Sequence, residues 1–268
     1  MNTNNNHQLI WVRGAGELGS ATAVSLFRSG FSVFLSEINP PLAIRRTVTF
    51  SDAILDGHSM VEDVQATYLS LQDIPDSVSD MIPLYKDEPN HLLDFHPNII
   101  VDARMKKSYS VDYRKWADFF IGLGPGFNTD ENCHAVIETM RGHNLGRIIW
   151  DGAPQNNTGI PGNISGETKR RVLHSPSIGK LEWKVDFGDI VENKQLLGTV
   201  ISTKITAPFS GIVRGLIHPD VPMINGLKIA DIDPRKDVNY KSISDKSRSI
   251  GRGVLEAILS NIYGKRSI

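Results

Sequence analysis

The sequence predicts an α/β protein: a Rossmann-like parallel-sheet domain, then a β-rich barrel-sandwich-like domain, then a C-terminal helix. Three observations predict it. Residues 9 to 38, "LIWVRGAGELGSATAVSLFRSGFSVFLSEI", read as strand, glycine turn, helix and strand. Apolar runs of strand length recur through the first half. Beyond a stretch rich in Gly, Pro, Asn and Ser, the pattern changes to short strands between turns.

Leu9 to Val12 is the first strand, closed by Gly14, and Phe31 to Leu35 is the second. The helix between them runs from about Leu18 to Ser29, with Leu18, Ala21, Ala23, Val24 and Phe27 on its packing face and Ser29-Gly30 as its stop. Asn98 to Val101 and Phe119 to Gly122 are further buried strands. The segment from Asp130 to Arg141, with Ala135, Val136, Ile137 and Met140, predicts a helix, and Arg147 to Trp150 a last strand. Strands alternating with helices imply a parallel sheet.

"APQNNTGIPGNISG", residues 153 to 166, has linker chemistry. It separates a nucleotide-binding domain at 1–152 from a β-rich domain at 167–235, and residues 236–268 form a C-terminal segment whose helix packs on the first domain. Within the β-rich part a repeat appears at an offset of 32: Gly179 with Gly211, Leu181 with Val213, Val191 with Met223, Leu197 with Ile229 and Val200 with Ile232. Two such units, each too small to bury its own apolar face, are expected to share one core.

The chain has 268 residues, 40% hydrophobic and 22% charged, and so can fold into two modest domains. With 29 basic and 30 acidic residues its formal net charge is -1, which argues against nucleic acid or an anionic membrane as partner. Any anion site has to be local. A single cysteine, Cys133, rules out an intramolecular disulfide and a multi-thiolate metal site, and no apolar run reaches the length of a membrane span. These features predict a cytoplasmic protein without a metal centre and leave homo-oligomerisation open.

Gly14, Gly16 and Gly19 form G-x-G-x-x-G between a predicted strand and a predicted helix. The loop of Gly14, Ala15, Gly16, Glu17, Leu18 and Gly19 is the expected cradle for a pyrophosphate, with the helix N-terminus behind it. Glu37 lies 18 residues beyond Gly19, where a carboxylate can accept hydrogen bonds from ribose hydroxyls. It favours NAD or an adenosine-type ligand over NADP, while nearby Arg45 and Arg46 weaken that preference. Asp102 and Arg104 end the third strand and either face substrate in the crevice, or pair with each other or cap a helix. Gly122, Gly124 and Gly126 either offer a second set of backbone donors ahead of a helix or make a turn. Cys133, His134 and Glu138 are too few and too mixed for a metal site, and Lys204 stands too close to Ala207-Pro208 for the hairpin tip of a lipoyl or biotinyl carrier. In "SRSIGRG", Gly251 and Gly253 either help form an anion nest or let the last helix pack closely.

The strings "VRGAGELGSATAVSLFRSGF", "IIVDAR", "IGLGPGF", "HAVIETMRGHNLGRIIWDG", "NTGIPG" and "SDKSRSIGRGVLEAIL" resemble the YqeB-like proteins of selenium-dependent molybdenum hydroxylase systems. More distantly, the chain is similar to accessory factors that mature xanthine and carbon monoxide dehydrogenases. The resemblance implies an accessory protein that helps make or insert the molybdenum site of a hydroxylase, working beside that enzyme. It implies nucleotide contacts at Gly14, Gly16 and Gly19, marks Gly122, Gly124 and Gly126 as a family loop, and assigns no catalytic residue. Such proteins often carry "GGGDLATG" where this chain has "GAGELGSA", so Glu17 stands where aspartate is usual. NAD and a molybdopterin-type dinucleotide both suit the cradle. An NAD-dependent oxidoreductase, which would have to draw its proton donor from Asp102, Arg104 or His134, and a non-enzymatic assembly scaffold are the competing readings.

Overall fold

The computed structural model describes residues 8–72, 80–157, 159 and 164–264. Part of the expected linker and of the "NTGIPG" string, residues 158 and 160–163, lies outside them.

Strand β1 (Leu9–Arg13) leads through Gly14 to helix α1 (Glu17–Arg28), which returns to β2 (Ser32–Glu37). The helix stops where Gly30, at φ +86°, lets the Phe31 N–H turn back to the Leu26 carbonyl at 3.2 Å. A short helix α2 (Ala53–Asp56) precedes the hairpin β3 (His58–Val61) and β4 (Val64–Tyr68), then come β5 (Ile82–Lys86), α3 (Pro89–Leu93), β6 (Ile99–Asp102), β7 (Phe119–Leu123), β8 (Ala135–Ile137) and β9 (Ile148–Ile149). These strands make one sheet in the order β3-β4-β5-β2-β1-β6-β7-β8-β9. From β4 to β8 every pairing is parallel, while the two edges, β3 and β9, pair antiparallel, so the sheet is mixed.

Alternate residues of each strand serve opposite faces. Ile10, Val12, Val33, Leu35, Ile99, Val101, Phe119 and Ile121 join the core beneath α1. Trp11, Phe34, Tyr85, Ile100, Phe120 and Val136 build an aromatic layer on the other face.

The expected helix at Asp130 to Arg141 is absent: Ala135–Ile137 is strand β8. Ala135 and Ile137 are buried in one core and Val136 in the other, so three consecutive apolar residues mean a strand covered on both faces. Such a run cannot be told from a helical turn by periodicity.

The second part contains β10 (Val172–His174), β11 (Leu181–Trp183), β12 (Ile190–Val191), β13 (Leu196–Val200), β14 (Thr203–Thr206), β15 (Gly211–Leu216) and β16 (Lys228–Asp233). One antiparallel sheet has the order β10-β16-β15-β12 and the other β11-β13-β14. Their inner faces share a single core that includes Leu181, Val191, Leu197, Val200, Val213, Met223, Ile229 and Ile232. The pairings exchange equivalent residues of the 32-residue repeat. Leu181 opposes Val200 as Val213 opposes Ile232, and Gly179 bridges Met223 as Gly211 pairs with Val191. The two halves are therefore related by an approximate two-fold.

Helix α4 (Asp245–Tyr263) returns to α1 and adds Ile250, Val254, Ala257 and Ile258 to its core, each worth about 1–3 kcal/mol when buried. Gly251 and Gly253 serve that packing: a Cβ would lie 3.0 Å from the Ala21 carbonyl oxygen and 2.2 Å from that of Gly146. Of the two readings of "SRSIGRG", close packing is the one realised at its glycines.

Candidate functional site: a cationic cavity at the strand ends

The sheet order reverses between β1, which is followed by β2 on one side, and β6 on the other. In open parallel sheets the crevice beyond such a reversal is where ligands bind. The glycine turn lies there, and each glycine does something different. Gly14 has φ +99°, and its Cβ would meet the Arg104 backbone at 3.2 Å. A Cβ on Gly19 would sit 1.8 Å from the Gly14 carbonyl oxygen, so only glycine lets α1 approach β1. Gly16, the N-cap of α1, has open space around it.

Glu37 is engaged by backbone donors on either side. Its Oε2 accepts the Ala15 N–H at 2.8 Å and its Oε1 the Ile38 N–H at 2.8 Å, so the carboxyl is turned onto the glycine turn itself. Burial pushes its pKa up to about 7, against the pull of those two N–H donors. One donor of the expected cradle is thus already engaged by protein.

The other expected crevice residues are also committed. Asp102 is fully buried and bonded by Arg104, whose Nε lies 3.0 Å from both carboxylate oxygens, with Nη2 also on Oδ2. The mutual pair is the arrangement found. The second glycine loop is packed shut, because Cβ atoms at Gly122, Gly124 and Gly126 would meet the Phe127 ring at 2.1 Å, Thr139 Oγ1 at 2.4 Å and Tyr109 at 3.0 Å. No helix follows it, so it lacks the dipole that would make it an anion site. Cys133 is buried with its pKa pushed up to about 12 by that burial. The His134 Nδ1 accepts the Phe120 N–H at 2.9 Å, and the buried Glu138 carboxylate accepts the N–H groups of Met140 and Gln155 at 2.7 and 2.8 Å. Among the described residues, no group of three or more His, Cys, Asp or Glu is placed to hold a metal ion.

Next to the glycine turn opens a cavity of about 810 Å³. Its walls come from the first turns of α1 and α4, the loops after β6, β7 and β8, and the second part of the chain. Eight lysines and arginines line it against two acids, Glu17 and Asp245. In a chain of net charge -1 that is a strong local concentration of positive charge.

Two buried aspartates of β16 organise three of the arginines. Asp231 is 2% exposed and Asp233 fully buried. Arg171 bonds Asp231, Arg214 reaches Asp231 Oδ2 at 2.8 Å through Nε and Asp233 Oδ2 at 3.1 Å through Nη1, and Arg235 bonds Asp233 at 2.9 and 2.8 Å. Burial would raise the Asp233 pKa, but the Arg235 hydrogen bonds overcome it and hold the group below the ordinary value.

Arg45 faces them from the α/β part. The Leu216 N–H donates to the Ile44 carbonyl at 2.8 Å and the Ile44 side chain enters the β-rich core, which fixes the backbone beside Arg45. Glu17 projects from the first turn of α1 to the start of α4, where its Oε1 accepts Ser244 Oγ at 2.9 Å and Ser247 Oγ at 3.1 Å, with Arg45 Nη1 at 3.8 Å. Burial opposes ionisation of Glu17, but the charge of Arg45 and the two hydroxyls prevail, so its pKa lies below the usual range. Of the expected site residues, Glu17 and Leu18 line this cavity. Sequence reasoning named Arg45 only as a modifier and missed Arg171, Arg214 and Arg235; the one available signal was for Arg214 and Arg235, which stand at the offset of 32 from Glu182 and Thr203, and Arg171 carried none.

Over 257 residues, 94% of its length, the chain is 42% identical to the uncharacterized protein YqeB of Escherichia coli strain K12. The chain is similar to YqeB. It spans 48%, about half, of the length of that relative. No family model matches the sequence. A crystal structure of a succinylglutamate desuccinylase from Silicibacter sp. TM1040 shares 14% identity at a TM-score of 0.28, covering 85% of each chain, a likeness too slight to bear on fold or activity. Among the described residues no helix is long and apolar enough to cross a membrane.

Proposed function

We propose that the chain binds a nucleotide-bearing, phosphate-rich cofactor and serves as an accessory factor in the maturation of a selenium-dependent molybdenum hydroxylase. In this reading the α/β part is a Rossmann-like domain and the β-rich part a barrel-sandwich scaffold that covers the ligand. The carrying observation is the 810 Å³ cavity, which sets eight cationic side chains beside the first turns of α1 and α4. Guanidinium groups and helix N-termini both favour phosphate oxygens. The hydroxylase half rests on the resemblance of the sequence motifs to accessory proteins of those systems, and on the similarity to YqeB only as kinship.

The committed state of the candidate acids and bases supports binding over turnover. A hydride-transfer enzyme needs a proton donor at the ligand, yet Asp102 and Arg104 are paired and the His134 Nδ1 is bonded to backbone. NAD and a molybdopterin dinucleotide both carry the pyrophosphate that the reading requires.

The test is to denature protein purified from its native host and identify the released small molecule by mass spectrometry, alongside thermal shifts with NAD and molybdopterin dinucleotides. A released nucleotide or pterin with matching stabilisation is expected. An empty release and no shift with either ligand would refute the binding claim.

A further inference from the structure

We propose that Arg45, Arg171 and Arg214 form an oxyanion clamp that takes the pyrophosphate of the ligand, so that side chains of the cavity, rather than the amides of the glycine turn, are the main phosphate contacts. The inference rests on the binding reading above and specifies where and how the anion is held.

Arg45 is the starting point. It is 8% exposed and lines the cavity, and its Nε has no hydrogen-bond partner. Among the described residues the one carboxylate within 4 Å of it is that of Glu17 at 3.8 Å, beyond hydrogen-bond length, while Asp231 and Asp233 act on its charge from farther away. A buried guanidinium with an unused donor is costly unless something binds there. Arg171 repeats the pattern: one nitrogen bonds Asp231 while its buried Nε has no partner. Burial pushes the Arg45 pKa down and the neighbouring charge of Arg214 adds to it, against the opposing pull of Glu17, Asp231 and Asp233.

The local charges agree. Arg45, Arg171, Arg214 and Arg235 face the carboxylates of Glu17, Asp231 and Asp233, so four cations meet three anions before Lys106, Lys107 and Lys246 are considered. Asp231 and Asp233 take Nε, Nη1 and Nη2 of Arg214 and one nitrogen of Arg171, which fixes these guanidinium groups and leaves their remaining N–H groups to an anion. The glycine turn is the poorer site, because Glu37 holds the Ala15 amide and adds a carboxyl beside it.

Glu17 sets the specificity of the clamp. Its carboxylate accepts the Ser244 and Ser247 hydroxyls at the N-terminus of α4 and lies beside Arg45. An incoming phosphate must share those donors with it. The clamp therefore favours a group of high charge density, such as a diphosphate, over a single carboxylate.

Isothermal titration of the full chain with inorganic pyrophosphate and, separately, with NAD tests this. Arg45→Gln is expected to weaken pyrophosphate binding by about tenfold or more, and Arg45→Lys by less, because lysine keeps the charge and loses the fork. Glu17→Gln is expected to tighten it, a direction that damage to the fold cannot mimic. Wild-type pyrophosphate affinity in Arg45→Gln, or no gain in Glu17→Gln, overturns the clamp; if Arg45→Gln fails to fold, the Glu17→Gln arm decides. NAD held undiminished by Arg45→Gln overturns the clamp and leaves the nucleotide reading standing, whereas a wild-type chain that binds neither probe overturns both.

Discussion

The two halves of the β-rich part share a framework and differ in charge. Where the second half carries Arg214, Asp231 and Asp233, the first carries Glu182, Thr199 and Ile201 at the same offset of 32 residues. The strand pairings around those positions correspond, with Leu181 on Val200 and Val213 on Ile232. The scaffold therefore folds without an ionic cluster in one half, so the cluster in the other is not a requirement of the architecture. It is placed where the cavity is.

The largest expected effect breaks the cluster. Asp233→Ala removes the buried partner of Arg214 and Arg235 and is expected to cost about 3–5 kcal/mol, read as a fall in the denaturant midpoint. Ile201→Ala, at the equivalent and 70% exposed position, is expected to be near neutral.

Where the halves agree, both should be sensitive. A Cβ at Gly211 would lie 2.3 Å from the Asp233 carbonyl oxygen, and one at Gly179 would lie 2.5 Å from the Ile201 side chain. Alanine at either is expected to destabilise by about 1–3 kcal/mol in thermal unfolding. A neutral result at one of them would limit the two-fold to the core.

A comparable effect on stability is expected from writing the first half into the second. The triple variant Arg214→Glu, Asp231→Thr, Asp233→Ile removes Arg214 with both its acids but takes Asp231 from Arg171 and Asp233 from Arg235, which is half-exposed and can turn to solvent, so stability should fall by about 1–3 kcal/mol. The loss of pyrophosphate binding in the same variant, measured by titration, is the sharper readout. A folded triple variant that still binds would separate the cluster from ligand recognition.

The smallest effect is on pH dependence. The Asp233 pKa is lowered in the fold, so its contribution is present above the unfolded value near 3.8 and is lost as acid protonates it through the lower folded value. Wild-type stability should fall more steeply below that pH than that of the triple variant, in acid titration monitored by circular dichroism.

Much of the α/β part was legible in the sequence. Strand β1, helix α1 and strand β2 follow from Leu9 to Glu37 because one face of the helix and alternate residues of each strand are apolar, with glycines punctuating the turns. Residues 135–137 misled because burial on both faces erases the alternation that marks a strand. At the site, the glycine turn was visible as a motif, but the contacts of Glu37 with Ala15 and Ile38 were not, because spacing gives where a carboxylate sits and not which donor it will accept. The cavity was illegible for another reason. Arg45, Arg171, Arg214 and Lys246 come from separate segments, none carries a local pattern, and balanced acids elsewhere hide them in the net charge.

The spread of those residues also bears on how the protein is made. A ribosome that has delivered β1 to β9 has produced Glu17 and Arg45 but not yet Arg171, Arg214 or the serines of α4. Domains generally assemble as they emerge. The cavity is therefore completed only in one late step, when α4 docks against α1 and Ser244 and Ser247 reach Glu17.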